Sequence, residues 1–341
     1  MASHELSIVI PSRSEMFLAQ TIQNIIDNSE ADTEIIATMD GEWAKPAVPI
    51  HEKVNLIYVP VSIGQRAATN IACKLASGKY VMKVDAHCSF DKGFDRKMLD
   101  AFKETGDNVT MAPTMRNLWA FDWKCAKCGK KWYQGPTPLK CQETDYKKTG
   151  QPCDSNRFVK KMMWIGKERP QSNSFCFDSQ PHFQYFNDYT KRPEYKEMLD
   201  KTGMTETMSL QGSCFMCTKD KYWELNISDE AVGSWGNQGL EVACKTWLSG
   251  GRVLVNHRTW YAHMFRTQGG SFGFPYPQSG REVQKTKDLL AKLFLENKYP
   301  NQIKPLSWLL DKFWPVPGWD DLARQKVTDA GTVFTNLQDK P

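Results

Sequence analysis

The 341-residue sequence predicts an α/β domain on a mostly parallel sheet, with a cysteine-rich insertion and a helical tail. Short apolar runs alternate with helically spaced segments through residues 5–100, the pattern of repeated βα units. Three of those runs end in polar or charged residues: Pro11-Ser12-Arg13, Asp40 and Asp85. Residues 120–165 then break the alternation with Lys-rich, Gly/Pro-containing sequence and four cysteines.

Leu6-Ser7-Ile8-Val9-Ile10 reads as the first strand, ending at Pro11, and Phe17–Asn28 repeats Phe17, Ile22, Ile25 and Ile26 at helical spacing. Glu34–Asp40 is the second strand, closed by Gly41; Asn55–Val59 is the third. Gln65–Ala76 predicts a helix and Lys79–Val84 a fourth strand. In such sheets ligands sit beyond the carboxyl ends of the strands, so the three polar strand ends converge on one predicted crevice. After the insertion, Thr207–Cys217 reads as a strand, Gly239–Leu248 as a helix and Arg252–Val255 as a strand. Residues 267–280, rich in glycine and aromatic side chains, predict a mobile loop over a site. A helix from about Glu282 to Asn297 and a Trp/Pro-rich end follow.

No run approaches ~18 consecutive apolar residues, and Met1-Ala2-Ser3-His4-Glu5 lacks a basic region followed by an apolar stretch. A soluble, cytoplasmic protein with no membrane insertion is the expectation. The net charge of +5 permits an anionic partner without requiring one. Ten cysteines in a long chain without a secretion signal read as thiols, one cluster apart. Of twelve tryptophans, Trp308, Trp314 and Trp319 crowd the tail, either to pack it onto the core or to stack on sugars or bases.

The sharpest chemical signal is Val84-Asp85-Ala86-His87-Cys88. Alternate residues of an extended chain point the same way, so Asp85 and His87 can face one ion. A carboxylate oxygen beside an imidazole, with positions left open, suits Mn²⁺ or Mg²⁺ carrying a diphosphate.

The opening strand, Asp40, Gly64-Gln65-Arg66-Ala67-Ala68-Thr69-Asn70 before Ala76-Ser77-Gly78-Lys79-Tyr80, and Asp85-Ala86-His87 together resemble family-two-type glycosyltransferases of the GT-A fold. Ser234-Trp235-Gly236-Asn237-Gln238-Gly239-Leu240-Glu241, then Trp247-Leu248-Ser249-Gly250-Gly251, then His263-Met264-Phe265-Arg266, are similar to the polypeptide N-acetylgalactosaminyltransferases, which use an Asp-x-His metal motif. The resemblance covers about residues 5–270 outside the insertion. It implies that Asp85, His87 and His263 bind the divalent metal, which neutralises the leaving diphosphate. It further implies that Asp40 holds the nucleoside and that Pro11, Arg13, Arg66, Trp235 and Arg266 contact the UDP-sugar. Taken alone, His263 reads as a buried, hydrogen-bonded histidine, and Arg66 and Arg266 as salt-bridge partners.

The chain departs from the resemblance at Gln238. Related enzymes carry a carboxylate here, in Trp-Gly-Gly-Glu-Asn or in a Glu-Asp pair, whereas an amide cannot act as a base. Glu241 is then the candidate working carboxylate, or a structural one, with Asp178 as another candidate. Retention through a same-face mechanism needs no such base, so both stereochemical outcomes stay open. The expected division is a nucleotide-sugar-binding half at 1–119, the insertion at 120–165, an acceptor-binding half at 166–280 and a helical, Trp-rich extension at 281–341.

Cys125-Ala126-Lys127-Cys128 with Cys141 and Cys153 can surround Zn²⁺ tetrahedrally, and Gly129 permits the tight turn of a knuckle. Free thiols are the alternative. Cys214 and Cys217 sit at an odd offset in an apolar strand, which sends them to opposite faces as core thiols. Around the cysteine cluster, basic and aromatic residues interleave, among them Trp119, Lys124, Lys131, Tyr133, Lys160 and Lys161. That mixture suits either a nucleic-acid surface or a solvated zinc knuckle. The functional expectation is a metal-dependent transferase moving glucose or a related hexose from a UDP-sugar to a hydroxyl. The favoured acceptor is a 5-hydroxymethylpyrimidine in double-stranded DNA, as in bacteriophage DNA modification in a host cytoplasm. A protein Ser/Thr or surface-glycan acceptor is the alternative, and an inactive sugar- or nucleic-acid-binding module is the alternative class.

Overall fold

A computed structural model describes residues 3–144, 150–276 and 280–338. The chain opens with β1 (Leu6–Ser12), α1 (Leu18–Asn28), β2 (Thr33–Asp40), β3 (Val54–Val59), α2 (Gln65–Leu75), β4 (Tyr80–Val84), β5 (Cys88–Phe90) and α3 (Phe94–Thr105). The middle contains β6 (Val109–Cys125), β7 (Lys131–Tyr133), β8 (Phe158–Gly166), β9 (Phe175–Phe177), β10 (Phe183–Tyr185), α4 (Pro193–Thr202) and β11 (Met204–Glu206). It closes with β12 (Cys214–Thr218), α5 (Lys219–Glu224), α6 (Gln238–Leu248), β13 (Arg252–His263), α7 (Gly280–Phe294), α8 (Leu306–Phe313) and α9 (Asp321–Gln338).

The main sheet runs β11-β13-β6-β12-β4-β1-β2-β3. β1 pairs in parallel with β2 and β4, and β2 with β3, as the βα alternation predicts. β12 enters antiparallel between β4 and β6, which makes the sheet mixed. Side chains alternate across the central strands. Ile8 and Ile10 face α1 and α3, while Val9 faces the side that holds α2, α6 and the tail helices. Cys214 and Cys217 fall on these two opposite sides, both buried.

Two stretches differ from the sequence reading. Residues 207–213 are not strand; β12 begins only at Cys214, after an irregular segment whose Thr207 hydroxyl donates to the carbonyls of Phe175 and Ser209. β6 is one strand that crosses the expected boundary at residue 119 without a break. Its outer part, Leu118–Cys125, leaves the sheet and pairs antiparallel with β7 and β8 as a ribbon.

The tail packs on the core. Trp308 lies 6.1 Å from Trp247, and the Trp319 indole donates to the Phe177 carbonyl at 2.7 Å. Arg192 donates to the carbonyls of Phe313, Trp314 and Pro315. In this structure the tail tryptophans fill the packing role.

Candidate active site

The carboxyl ends of β1 and β4 and the end of β13 open onto a cleft lined by Pro11, Arg13, Glu15, Gln65, Asp85, His87, Trp235, His263, Arg266 and Tyr276 among others. Asp85 and His87 follow β4 directly, and the antiparallel pairing of His263 with Cys88 brings the third residue back beside them. The Nε2 atoms of His87 and His263 stand 3.0 Å apart, and His263 Nε2 is 3.3 Å from Asp85 Oδ2. One ligand atom from each residue lies within 4.8 Å of the others. Burial pushes His263 down to about 4 against the pull of Asp85, so its imidazole is neutral at pH 7. Burial works against the Asp85 carboxylate, but Lys83 and then His263 outweigh it and hold its carboxyl well below the usual range. Two imidazoles and one carboxylate, open on the cleft side, fit a divalent ion.

Glu15 carried no signal in the sequence beyond its place three residues after a strand end. The structure buries it and sets Oε2 3.0 Å from His87 Nδ1, while Oε1 accepts from the Arg266 guanidinium. An ionised carboxylate only accepts, so His87 donates from Nδ1, which turns its Nε2 toward His263 and the cleft. Arg266 also donates to Gly273 O at 3.2 Å, and its Nε is buried without a partner. It lies between the Phe17 and Phe272 rings.

Lys83 is the second residue the sequence did not flag. Its side chain is 1% exposed in a central strand, and its ammonium donates to Asp85 Oδ1 and, at 2.8 Å, to Gly212 O. Gln65 Nε2 donates to the same Asp85 oxygen at 3.2 Å. Oδ1 is thus occupied from within the protein, and Oδ2 is the oxygen turned toward the histidines.

A second pocket adjoins the first through Gln65, Asp85, Gln211 and Trp235, and adds Phe183, Gly212, Asn237, Gln238 and Gly239. Gln238 donates to Ser228 Oγ at 3.1 Å, and its Oε1 is buried without a partner. Gly239 belongs here because a Cβ would come 1.9 Å from the Leu210 carbonyl oxygen.

Three expected contacts are engaged elsewhere. Glu241, the candidate working carboxylate, is fully buried: Oε2 accepts from Arg66 Nε and NH2 at 3.0 and 2.9 Å, and Oε1 from Lys245 at 2.7 Å and Asp229 N at 3.1 Å. Arg66, expected on the diphosphate, spends its remaining donors on Gly233 O and Gly236 O. Neither lines either pocket; together they clamp the loop that presents Trp235. Asp40, expected on the nucleoside, accepts from Ser62 Oγ, Ile63 N and Gly64 N, and so fixes the turn into α2. That turn needs glycine at 64, where φ is +93° and a Cβ would meet Ser234 at 2.6 Å. Asp178 likewise caps a hairpin, accepting from the backbone of Gln180 and His182.

At the ribbon tip the four cysteines converge. Sγ separations are 3.7 Å for Cys125–Cys153 and 3.5 Å for Cys128–Cys141, near the ~3.8 Å edge of a tetrahedron with ~2.3 Å Zn–S bonds. Burial raises the Cys125 thiol, but backbone N–H groups of Cys128 and Lys127 bring it down to about 6. Cys141 is pushed up to about 12, first by burial.

Residues 7–163 match the model of the family described as Glycosyl transferase family 2. The matched stretch contains Asp85 and His87, while His263 comes from the part of the chain beyond it. The putative polypeptide N-acetylgalactosaminyltransferase 13 of Drosophila melanogaster is 22% identical over 322 residues, 89% of this chain and 48% of the relative. Polypeptide N-acetylgalactosaminyltransferase 3 of the same fly is 20% identical over 372 residues, 92% of this chain and 46% of the relative. The chain therefore spans about half the length of these relatives. The crystal structure of GalNAc-T7 with UDP, GalNAc and Mn²⁺ shares the fold at a TM-score of 0.60 and 14% identity, covering 96% of this chain and 54% of that one. The GT-A fold read from the sequence is the fold observed.

Proposed function

We propose that this chain moves a hexose, glucose or a close relative, from a UDP-sugar to a hydroxyl acceptor with the help of a divalent ion. The convergence of Asp85, His87 and His263 in a cleft also lined by Arg13 and Arg266 carries this reading. Mn²⁺ or Mg²⁺ held by those three residues supplies neutralisation of the departing diphosphate. Arg13 and Arg266 offer guanidinium donors to the phosphate oxygens. Glu15 keeps His87 and Arg266 aligned, and Trp235, which borders both pockets, separates the donor side from the acceptor side. Asp85 is the only carboxylate among the described residues lining the second pocket, and Glu241 is closed off by its ion pairs. This supports retention. The bond from the anomeric carbon to the diphosphate oxygen breaks as the acceptor oxygen bonds on the same face, and the acceptor proton passes to the leaving phosphate oxygen.

For the acceptor we favour a 5-hydroxymethylpyrimidine of double-stranded DNA, in the manner of phage DNA modification in a host cytoplasm; the basic, aromatic ribbon supports it. The N-acetylgalactosaminyltransferase relatives favour a second reading, a protein Ser or Thr. The four-cysteine cluster suits a structural Zn²⁺. Among the described residues no helix is long and apolar enough to cross a membrane.

The test is UDP release from UDP-sugars with Mn²⁺. Loss of release in Asp85→Ala supports the transferase, and absence of release from every UDP-sugar, with either acceptor, overturns it. With a labelled UDP-sugar, hydroxymethylated duplex DNA and a Ser/Thr peptide compete as acceptors. A labelled peptide beside unlabelled DNA sinks the DNA reading.

A further inference from the structure

The ribbon of β7, β6 and β8 has two unlike faces. Its register sets Lys124 opposite both Lys131 and Val159, and Asp122 opposite both Tyr133 and Lys161. Residues directly opposite, or two apart along a strand, share a face. Lys124, Lys131, Tyr133, Val159 and Lys161 therefore lie on one side, and Trp123, Trp132 and Lys160 on the other. The second side is covered: the Lys160 ammonium sits 4.7 Å from the Phe121 ring and 5.1 Å from the Trp123 ring, and Phe121 packs edge-on against Phe272 of the loop beside the cleft.

The first side is open. Tyr133 is 45% and Val159 59% exposed, and Lys124, Lys131 and Lys161 are exposed too. Lys167, next after β8, places its ammonium 4.7 Å from the Tyr133 ring, with Trp119 stacked 6.2 Å away on a tilt. Like charges directly opposite across two strands destabilise a sheet, so the Lys124–Lys131 pair costs stability unless an anion joins it. Among the described residues, no carboxylate forms an ion pair with Lys124, Lys131, Lys161 or Lys167; neighbouring Lys130 and Lys140 do find Glu143 and Asp154. Asp122, the acid of this face, is buried and holds the Trp119 indole at 2.8 Å.

This face also connects to the acceptor side. Four residues beyond Lys167, Gln171 accepts the Tyr185 hydroxyl, and on the same strand as Tyr185 the half-exposed Phe183 lines the second pocket. We propose that Lys124, Lys131, Lys161 and Lys167, with the Tyr133 ring, form a docking track for the phosphate backbone of a nucleic-acid acceptor that leads toward the Phe183 mouth. This rests on the DNA reading above and adds where the polymer lies. Ammonium groups without a carboxylate partner among the described residues, beside an exposed ring, match phosphates and base faces together, whereas an acidic peptide offers only the charges.

The test is fluorescence anisotropy of a labelled, unmodified duplex oligonucleotide with the zinc-loaded full chain at 50–200 mM NaCl, without donor. Four phosphate contacts predict a log–log salt slope of about −3 to −4. Lys124→Gln with Lys131→Gln is expected to weaken binding about tenfold or more at low salt and to flatten the slope by about 2. Both positions are exposed and outside the cleft, so UDP-sugar hydrolysis without acceptor stays at the wild-type rate. Unchanged affinity and slope in the double variant overturn the track, as does equal competition by polyglutamate. Wild-type protein that hydrolyses UDP-sugar but binds no DNA at 50 mM salt sinks the track and leaves the transferase standing.

Discussion

Two residues that no motif announces set the geometry of the cleft. Glu15 bridges His87 and Arg266 from beneath, so Glu15→Gln frees the histidine ring and leaves a buried guanidinium short of its counter-ion. Second-sphere carboxylates of this kind are worth about 10–100-fold in metal affinity. A Mn²⁺ titration followed by electron paramagnetic resonance is expected to show that loss, and an unchanged midpoint contradicts the positioning role. Lys83 works in the opposite sense. Its buried ammonium shares the Asp85 carboxylate with His263, so a positive charge sits beside the place where the proposed divalent ion would bind. Lys83→Met, of similar length, is expected to bind Mn²⁺ more tightly, by about tenfold or more; weaker binding would show that Lys83 chiefly holds Asp85 in position.

At the scale of elements, α6 is pinned from both ends of its first turn. Glu241→Gln removes the charge that balances Arg66 and Lys245 inside the protein, and breaking such a buried set costs about 3–5 kcal/mol. Urea unfolding is expected to register that fall in midpoint, whereas a general base would lose turnover with little loss of stability. Gly239→Ala drives a methyl group into the Leu210 carbonyl and is expected to cost about 3 kcal/mol, read as a lower melting temperature. The βα units up to Val84 were legible because period-2 and period-3.6 patterns alternate cleanly there. Asp85, His87 and His263 were legible as types that ligate metals. Arg66, Asp40 and Glu241 were legible as charged residues near the site, but a sequence does not say which charge already has a partner. Residues 207–213 were misread because buried polar residues such as Thr207, whose hydroxyl bonds to the Phe175 backbone, imitate a strand while bonding across loops. β6 was not read as a strand because its outer part mixes Trp and charged residues, and one of its partners, β8, lies beyond the four cysteines.

For the molecule as a whole, the ribbon and the sheet share a strand but not a source of stability. The sheet has two apolar cores, while the tip clusters Cys125, Cys141 and Cys153 with Cys128, Trp132 and Phe158 packed around them. Elemental analysis is expected to find one Zn²⁺ per chain. Removing it with a strong chelator is expected to open the tip to trypsin at Lys130 and Lys140 while the sheet domain stays resistant. Resistance to trypsin after demetallation would show that the thiols fold the tip unaided.

The uninterrupted run of β6 from the middle of the sheet to Cys125 has an evolutionary and engineering consequence. Excising the segment between the flanking strands would strip Leu118–Cys125 of β7 and β8 and expose two unpaired edges carrying Trp119, Phe121 and Trp123. Such an edge invites strand addition from another copy. The cysteine-bearing segment can be re-shaped at its tip, but it cannot be exchanged as a cassette without turning the protein into an aggregate.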